Sequence, residues 1–117
     1  MIKGIGIDAV ELERIEQIIL EKPTFAKRIL TQAEYRVFEG LSLHRQIEFL
    51  GGRFACKEAF SKAWGTGIGQ VTFQEIEILV NEQGAPIITQ SPQQTGKVHV
   101  SITHTKTTAF AQIIIEE

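Results

Sequence analysis

Long hydrophobic runs, paired cysteines, repeats and a dominant charge are all missing from this sequence. No apolar stretch approaches the ~20 residues of a bilayer span. Lys3 and Asp8 interrupt the apolar start, which argues against a secretory leader. Cys56 is the only cysteine, so no intramolecular disulfide can form, and a reducing cytoplasm is the expected compartment. A lone cysteine in a helical pattern reads as a packing residue rather than a nucleophile. The net charge of −2 gives no general attraction to nucleic acid or to an anionic membrane. One cysteine and the scattered His44, His99 and His104 do not make a zinc ligand set. No serine sits in a nucleophile elbow. The glycines at 65, 67 and 69 lack the Gly-Lys-Ser/Thr ending of a P-loop.

What is present reads as one globular α+β domain spanning residues 1–117, with 43% hydrophobic and 22% charged residues. Charge is uneven: residues 1–65 carry ten Lys and Arg against nine Asp and Glu, and residues 66–117 carry two against five. A cationic site is therefore expected in the first part.

Ile2 to Val10 alternates loosely around Gly4 and Gly6 and reads as a strand approached closely by another backbone. Leu12, Ile15, Ile18 and Ile19 have helical spacing over Glu11 to Leu20, and Pro23 limits that helix. Thr24 to Leu30 has room for another turn or two. Thr31 and Glu34 form a capping box that opens a helix to about Glu39, with Gly40 as its stop. A long helix is expected from about Ser42 to Trp64, with Phe49, Leu50, Phe54, Ala59, Phe60 and Ala63 on its buried face. Gly51-Gly52 weakens it by about 1 kcal/mol per glycine and marks tight packing or a bend. Beyond it the pattern is β: a strand over Phe73 to Val80, a turn at 81–84, a short strand over Pro86 to Thr89, and a hairpin from Val98 to Ile115. The layout implied is an antiparallel sheet with the long helix packed on it.

Four residues and one glycine-rich exit stand out chemically. Glu58 and Lys62 share a helix face at i, i+4, a spacing that serves an ordinary surface ion pair of ~0.3–0.5 kcal/mol equally well. Asp8 ends an apolar strand, either as a turn or cap residue or as part of a site. Together with Glu58 it could hold Mg²⁺, which takes one or two carboxylates plus phosphate and water. His104 precedes the last turn, as a polar turn residue or as a contact to phosphate or base. Gly65-Thr66-Gly67 serves as a helix terminator or offers N–H groups to a phosphate.

Three segments taken together go further. Gly6-Ile7-Asp8-Ala9-Val10-Glu11, Phe54-Ala55-Cys56-Lys57-Glu58-Ala59-Phe60-Ser61-Lys62-Ala63 and Ser101-Ile102-Thr103-His104-Thr105 resemble the signatures of the 4′-phosphopantetheinyl transferases. Their spacing and the short chain resemble the bacterial branch that acts on acyl carrier protein. The resemblance implies a transferase that moves the 4′-phosphopantetheine arm of coenzyme A onto a serine of apo-acyl carrier protein, releasing adenosine 3′,5′-bisphosphate. It implies that Asp8 and Glu58 hold Mg²⁺ and that Lys62 binds the pyrophosphate. Either Glu58 or a metal-bound water takes the serine proton. Arg53, Arg45 and His44 become candidates for the 3′-phosphate, and Gly65, Gly84, Pro86, His104 and Thr105 for the nucleotide pocket.

The same resemblance implies a homotrimer with sites at subunit interfaces, its strands Ile2–Ile7 and Ala109–Ile115 buried against neighbours. It also implies a first helical segment that meets the acidic carrier through Arg14, Ile18, Phe25 and Arg28, with Lys22 and Lys27 nearby. Glu13, Glu16 and Glu21 nearly balance that charge. The rival is a non-catalytic module that binds a carrier protein or a nucleotide, for which two carboxylates facing a pyrophosphate have no use.

Overall fold

The structure is a computed structural model describing residues 1–117. Its centre is the helix α4, Leu43–Trp64, capped at its N-terminus by Ser42. Around it lie the strand β1 (Ile2–Glu11), the helices α1 (Leu12–Glu21), α2 (Phe25–Ile29) and α3 (Gln32–Glu39), and the strands β2 (Glu77–Val80), β3 (Pro86–Gln90), β4 (Lys97–His104) and β5 (Thr108–Glu116). No helix is long and apolar enough to cross a membrane.

The antiparallel arrangement and the long helix agree with the sequence reading, but the strands divide into two sheets. One has the order β1-β5-β4 and the other is the hairpin β2-β3. The expected strand over 73–80 is also shorter. Phe73–Glu75 form a 3₁₀ turn closed by a reciprocal cap in which Glu75 accepts from the Thr72 N–H, and only Glu77–Val80 are extended.

Helix α4 packs against β1 with almost nothing between them. A Cβ on Gly4 would lie 1.9 Å from the Ala63 carbonyl oxygen, and one on Gly6 1.9 Å from that of Ala59. Glycine in the strand and alanine in the helix are what permit this approach. Gly51 and Gly52 act alike without bending the helix. A Cβ there would meet Leu12 at 2.7 Å and Ile102 at 3.1 Å. Packed on several sides, α4 does not bury a single face. Leu50, Ala55, Cys56, Ala59 and Phe60 are fully enclosed, whereas Phe49 and Phe54, expected inside, are half-buried.

One charged pair is fully enclosed as well. Lys57 and Glu34 meet at 2.6 Å, each with no solvent exposure. Charges on a helix usually face solvent, and Lys57 is an exception. Lys57 also donates to the Ile29 carbonyl at 2.7 Å. Glu34 completes the expected capping box by accepting from the Thr31 N–H, and accepts from the Ile78 N–H with its other oxygen. Burial pulls the Lys57 ammonium below the ordinary lysine value, and the neighbouring Glu34 carboxylate opposes that shift.

Alternation along β1 and β5 leaves an apolar outer face. Gly4, Gly6 and Val10 point to α4, while Ile5 pairs with Ile114, Ile7 with Gln112 and Ala9 with Phe110 on the far side. Ile5 and Ile7 are 61% and 60% exposed, an unusual state for isoleucine in the middle of a strand.

Candidate active site

Close packing of β1 on α4 carries Asp8 up to the last turns of the helix. Lys62 donates to the Asp8 carboxylate at 2.9 Å and to the Ile7 carbonyl at 3.0 Å. The i, i+4 ion pair expected between Glu58 and Lys62 is absent: Glu58 has no cation within 4.0 Å. Partial burial and the nearby Asp8 charge push the Glu58 carboxyl above its ordinary range, and Lys62 offsets this only in part. The Asp8 charge makes Glu58 costlier to ionise, and the one ammonium bonded here, that of Lys62, sits on Asp8, so the site favours added positive charge. No group of three or more His, Cys, Asp or Glu side chains could hold a metal alone. The pair instead fits an ion such as Mg²⁺ that completes its shell with phosphate and water.

Helix α4 ends at Gly65, whose φ of +98° is the left-handed conformation that glycine adopts freely. Its N–H and that of Gly67 both turn back to the Ser61 carbonyl, so the glycine-rich exit begins as a hydrogen-bonded turn. Cys56 is enclosed and burial pushes its thiol up to about 12, so it is a packing residue.

A second cluster lies around α4. Arg53 precedes Glu58 by five residues, roughly 140° around the helix axis. A cavity of about 620 Å³ brings together Arg45, Arg53, Gly84, Pro86 and His104 with Phe49, Ile102 and Val80. Asp8, Glu58, Lys62 and Gly65 do not line it. His44 and Thr105, expected in the same pocket, face instead a neighbouring hollow with Glu11, Glu13, Glu16 and Lys106. Helix rotation explains His44, one residue off the Arg45–Phe49 face. His104 lines both spaces.

Glu48 forms the wall between the two hollows, 3.4 Å from His44 and 3.6 Å from His104. The sequence reading did not single it out. Its i, i+4 spacing from His44 was the one signal available. Gly84 sits at φ +83° in a turn held by the Asn81 side chain, which places Pro86 at the cavity.

Of the expected docking residues, Arg14 and Arg28 are exposed and Ile18 and Phe25 half-buried. Phe25 and Arg28 line a separate hollow of about 550 Å³ with Phe54, Ile68 and Phe73.

The profile of the 4′-phosphopantetheinyl transferase superfamily matches residues 4–113. The holo-[acyl-carrier-protein] synthase of Enterococcus faecalis is 63% identical over 116 residues, covering 99% of this chain and 98% of that protein. That of Streptococcus sanguinis is 56% identical over 117 residues, covering 100% and 97%. Among solved structures, a holo-(acyl-carrier-protein) synthase from Bacillus anthracis in complex with CoA (3′,5′-ADP) superposes with a TM-score of 0.90 at 49% identity, covering 99% of this chain and 97% of that one. The Helicobacter pylori synthase in complex with coenzyme A gives 0.83 at 32% identity, covering 96% and 99%.

Proposed function

The chain belongs to the 4′-phosphopantetheinyl transferase superfamily, and from that premise we propose how its residues carry out the holo-[acyl-carrier-protein] synthase reaction. The enzyme transfers the 4′-phosphopantetheine group of coenzyme A to apo-acyl carrier protein. The serine oxygen forms a bond to the phosphorus bearing the pantetheine, the pyrophosphate bond breaks, and adenosine 3′,5′-bisphosphate leaves.

Asp8 and Glu58 are the residues that would hold Mg²⁺, and the elevated proton affinity of Glu58 beside Asp8 supports this. The bound ion supplies charge neutralisation and polarises the phosphoryl oxygens. Lys62 spends two of its three donors on Asp8 and Ile7, and the third is free for the pyrophosphate and the departing bisphosphate. Among these side chains Glu58 is the candidate to take the proton of the serine hydroxyl.

Arg45 and Arg53, with His104, Gly84 and Pro86, take the nucleotide end of coenzyme A, the arginines facing its 3′-phosphate. His44 and Thr105 face the neighbouring hollow, separated from this cavity by Glu48. Gly65, whose N–H is bonded within the turn, serves the site by ending α4 just beyond Lys62. The two clusters lie on different sides of α4, so one coenzyme A meets Lys62 from one copy and Arg53 from the next. The exposed apolar face of β1 and β5 supplies the contact between copies, and the assembly is a homotrimer. Arg14, Ile18, Phe25 and Arg28 form the surface for the acidic carrier. The reducing cytoplasm suits the single enclosed cysteine.

The observation that carries this reading is the meeting of Asp8, Glu58 and Lys62 in a chain matched end to end by such synthases. Intact-mass spectrometry of apo-acyl carrier protein tests it, after incubation with the enzyme, coenzyme A and either Mg²⁺ or EDTA. A phosphopantetheine mass gain with Mg²⁺ alone is expected. Equal gain in EDTA removes the metal role, and no gain with folded protein and several carriers favours a binding module.

A further inference from the structure

The two oxygens of Glu34 are used differently. Oε1 accepts from the Thr31 N–H at 2.8 Å and from Lys57 at 2.6 Å, which caps α3 and neutralises the enclosed ammonium. Oε2 accepts only from the Ile78 N–H, at 2.7 Å. The carbonyl of that same residue, Ile78, accepts from Arg53 Nε at 3.3 Å. The arginine is thus fixed at its Nε, and its guanidinium lies 4.0 Å from the centre of the Phe49 ring. Its two Nη groups bond to nothing in the chain, have no carboxylate within 4.0 Å, and are not enclosed. They are a free fork at the cavity shared with Arg45 and His104.

We propose that Glu34 is a positioning residue for substrate binding: by fixing the main chain of β2 at Ile78, it holds the Arg53 guanidinium in the orientation that receives the phosphate of coenzyme A. This rests on the reading of Arg53 given above. An arginine side chain loses much rotamer freedom when it binds, and a scaffold that removes this freedom beforehand strengthens binding. Three elements meet in the relay: α3 provides the carboxylate, β2 the main chain on either side of the Ile78 Cα, and α4 the arginine. The Glu34 charge also favours the cationic form of Arg53 against its burial.

Glu34→Gln separates the two oxygens. The amide oxygen, turned to Thr31 and Lys57, keeps the cap, and the amide NH₂ then faces the Ile78 N–H, donor against donor. Glu34→Asp keeps the charge near Lys57 and loses the reach to Ile78. Each should raise the KM for coenzyme A roughly three- to tenfold with kcat per folded enzyme nearly unchanged. Arg53→Met should raise it roughly ten- to a hundredfold, the loss of one charge-assisted contact. In the Arg53→Met background the further effect of Glu34→Gln should shrink toward none, because both act through one group.

Effects that multiply in full, or a changed folded fraction with unchanged KM, would overturn the role of Glu34. An Arg53→Met enzyme of normal KM would instead overturn the phosphate role of Arg53. If neither Glu34 variant folds, the unaltered chain decides by nuclear magnetic resonance. The Arg53 Nε–H should be strongly protected from solvent exchange, and free exchange would sink the relay.

Discussion

Lys62 bonds to Asp8, 54 residues away in sequence, and not to Glu58 one helical turn before it. The long helix and the first strand are joined by this bond, while Glu58 keeps a negative charge that no cation neutralises. A group in that position costs the fold some stability, as expected of a residue retained for the proposed reaction.

Glu58→Gln should lower turnover at least ~100-fold, since the metal-assisted stabilisation it supports is worth several kcal/mol. The fold should improve. Glu58 binds its proton more tightly in the folded chain than in the unfolded one. Stability therefore falls as pH rises from the ordinary carboxylate value through the raised one, and the penalty is complete above it. Without metal, the variant should melt about a degree or two higher at neutral pH, a small gain because Glu58 is partly solvated. Near pH 3, where the carboxyl is protonated in both states, the difference should vanish. Calorimetry in EDTA at both pH values, beside an activity assay at saturating Mg²⁺, decides.

Gly6→Ala should destabilise the chain by roughly 3 kcal/mol or more, the range of severe backbone overlap. The added methyl would lie 1.9 Å from the Ala59 carbonyl oxygen, and backbone cannot swing aside as a side chain can. Urea unfolding measures the loss. A midpoint within error of the parent would mean that β1 and α4 tolerate separation.

Ile5→Glu places a charge on the outer face of the sheet, where Ile5 is exposed opposite Ile114. A folded monomer with activity reduced at least ~100-fold is the expected result, since a buried unpaired charge disrupts an interface by several kcal/mol. Analytical ultracentrifugation and circular dichroism read assembly and fold separately. A fully active monomer would dismiss the proposed sharing of sites between copies.

Arg14→Glu should raise the KM for carrier protein about tenfold at low salt and leave that for coenzyme A unchanged, as a reversed rim charge does. Arg14 is exposed and belongs to neither cluster around α4. The effect should fade as salt is added. Equal carrier KM at low ionic strength would remove Arg14 from the docking surface.

Signals carried by local spacing were legible in the sequence. The Thr31–Glu34 cap, the span of α4 and the last hairpin all depend on neighbours a few residues apart. So did the suspicion attached to Asp8, because an acid in an apolar strand violates its pattern, although β1 continues past Asp8 to Glu11 rather than ending there. What escaped was set by distant partners. Lys57 looks like any lysine on a helix until Glu34, 23 residues earlier, encloses it. Glu34 was legible as a cap, yet its second oxygen serves Ile78, 44 residues later. Phe73 to Glu75 carry strand-like residues, but the Thr72–Glu75 cap closes a tight turn first. Whether five strands make one sheet or two is decided by which edges meet, and alternation within each strand carries no record of that.

Because α4 presents Glu58 to one side and Arg53 to another, damage to the two residues is separable in a way that damage to a self-contained site is not. In the proposed ring, a copy lacking Glu58 still lends a sound Arg53 to its neighbour, and a copy lacking Arg53 still lends a sound Glu58. Two impaired proteins, co-expressed, would regenerate whole sites at some of their junctions. A cell with one defective gene of each kind would fare better than a cell with either gene alone.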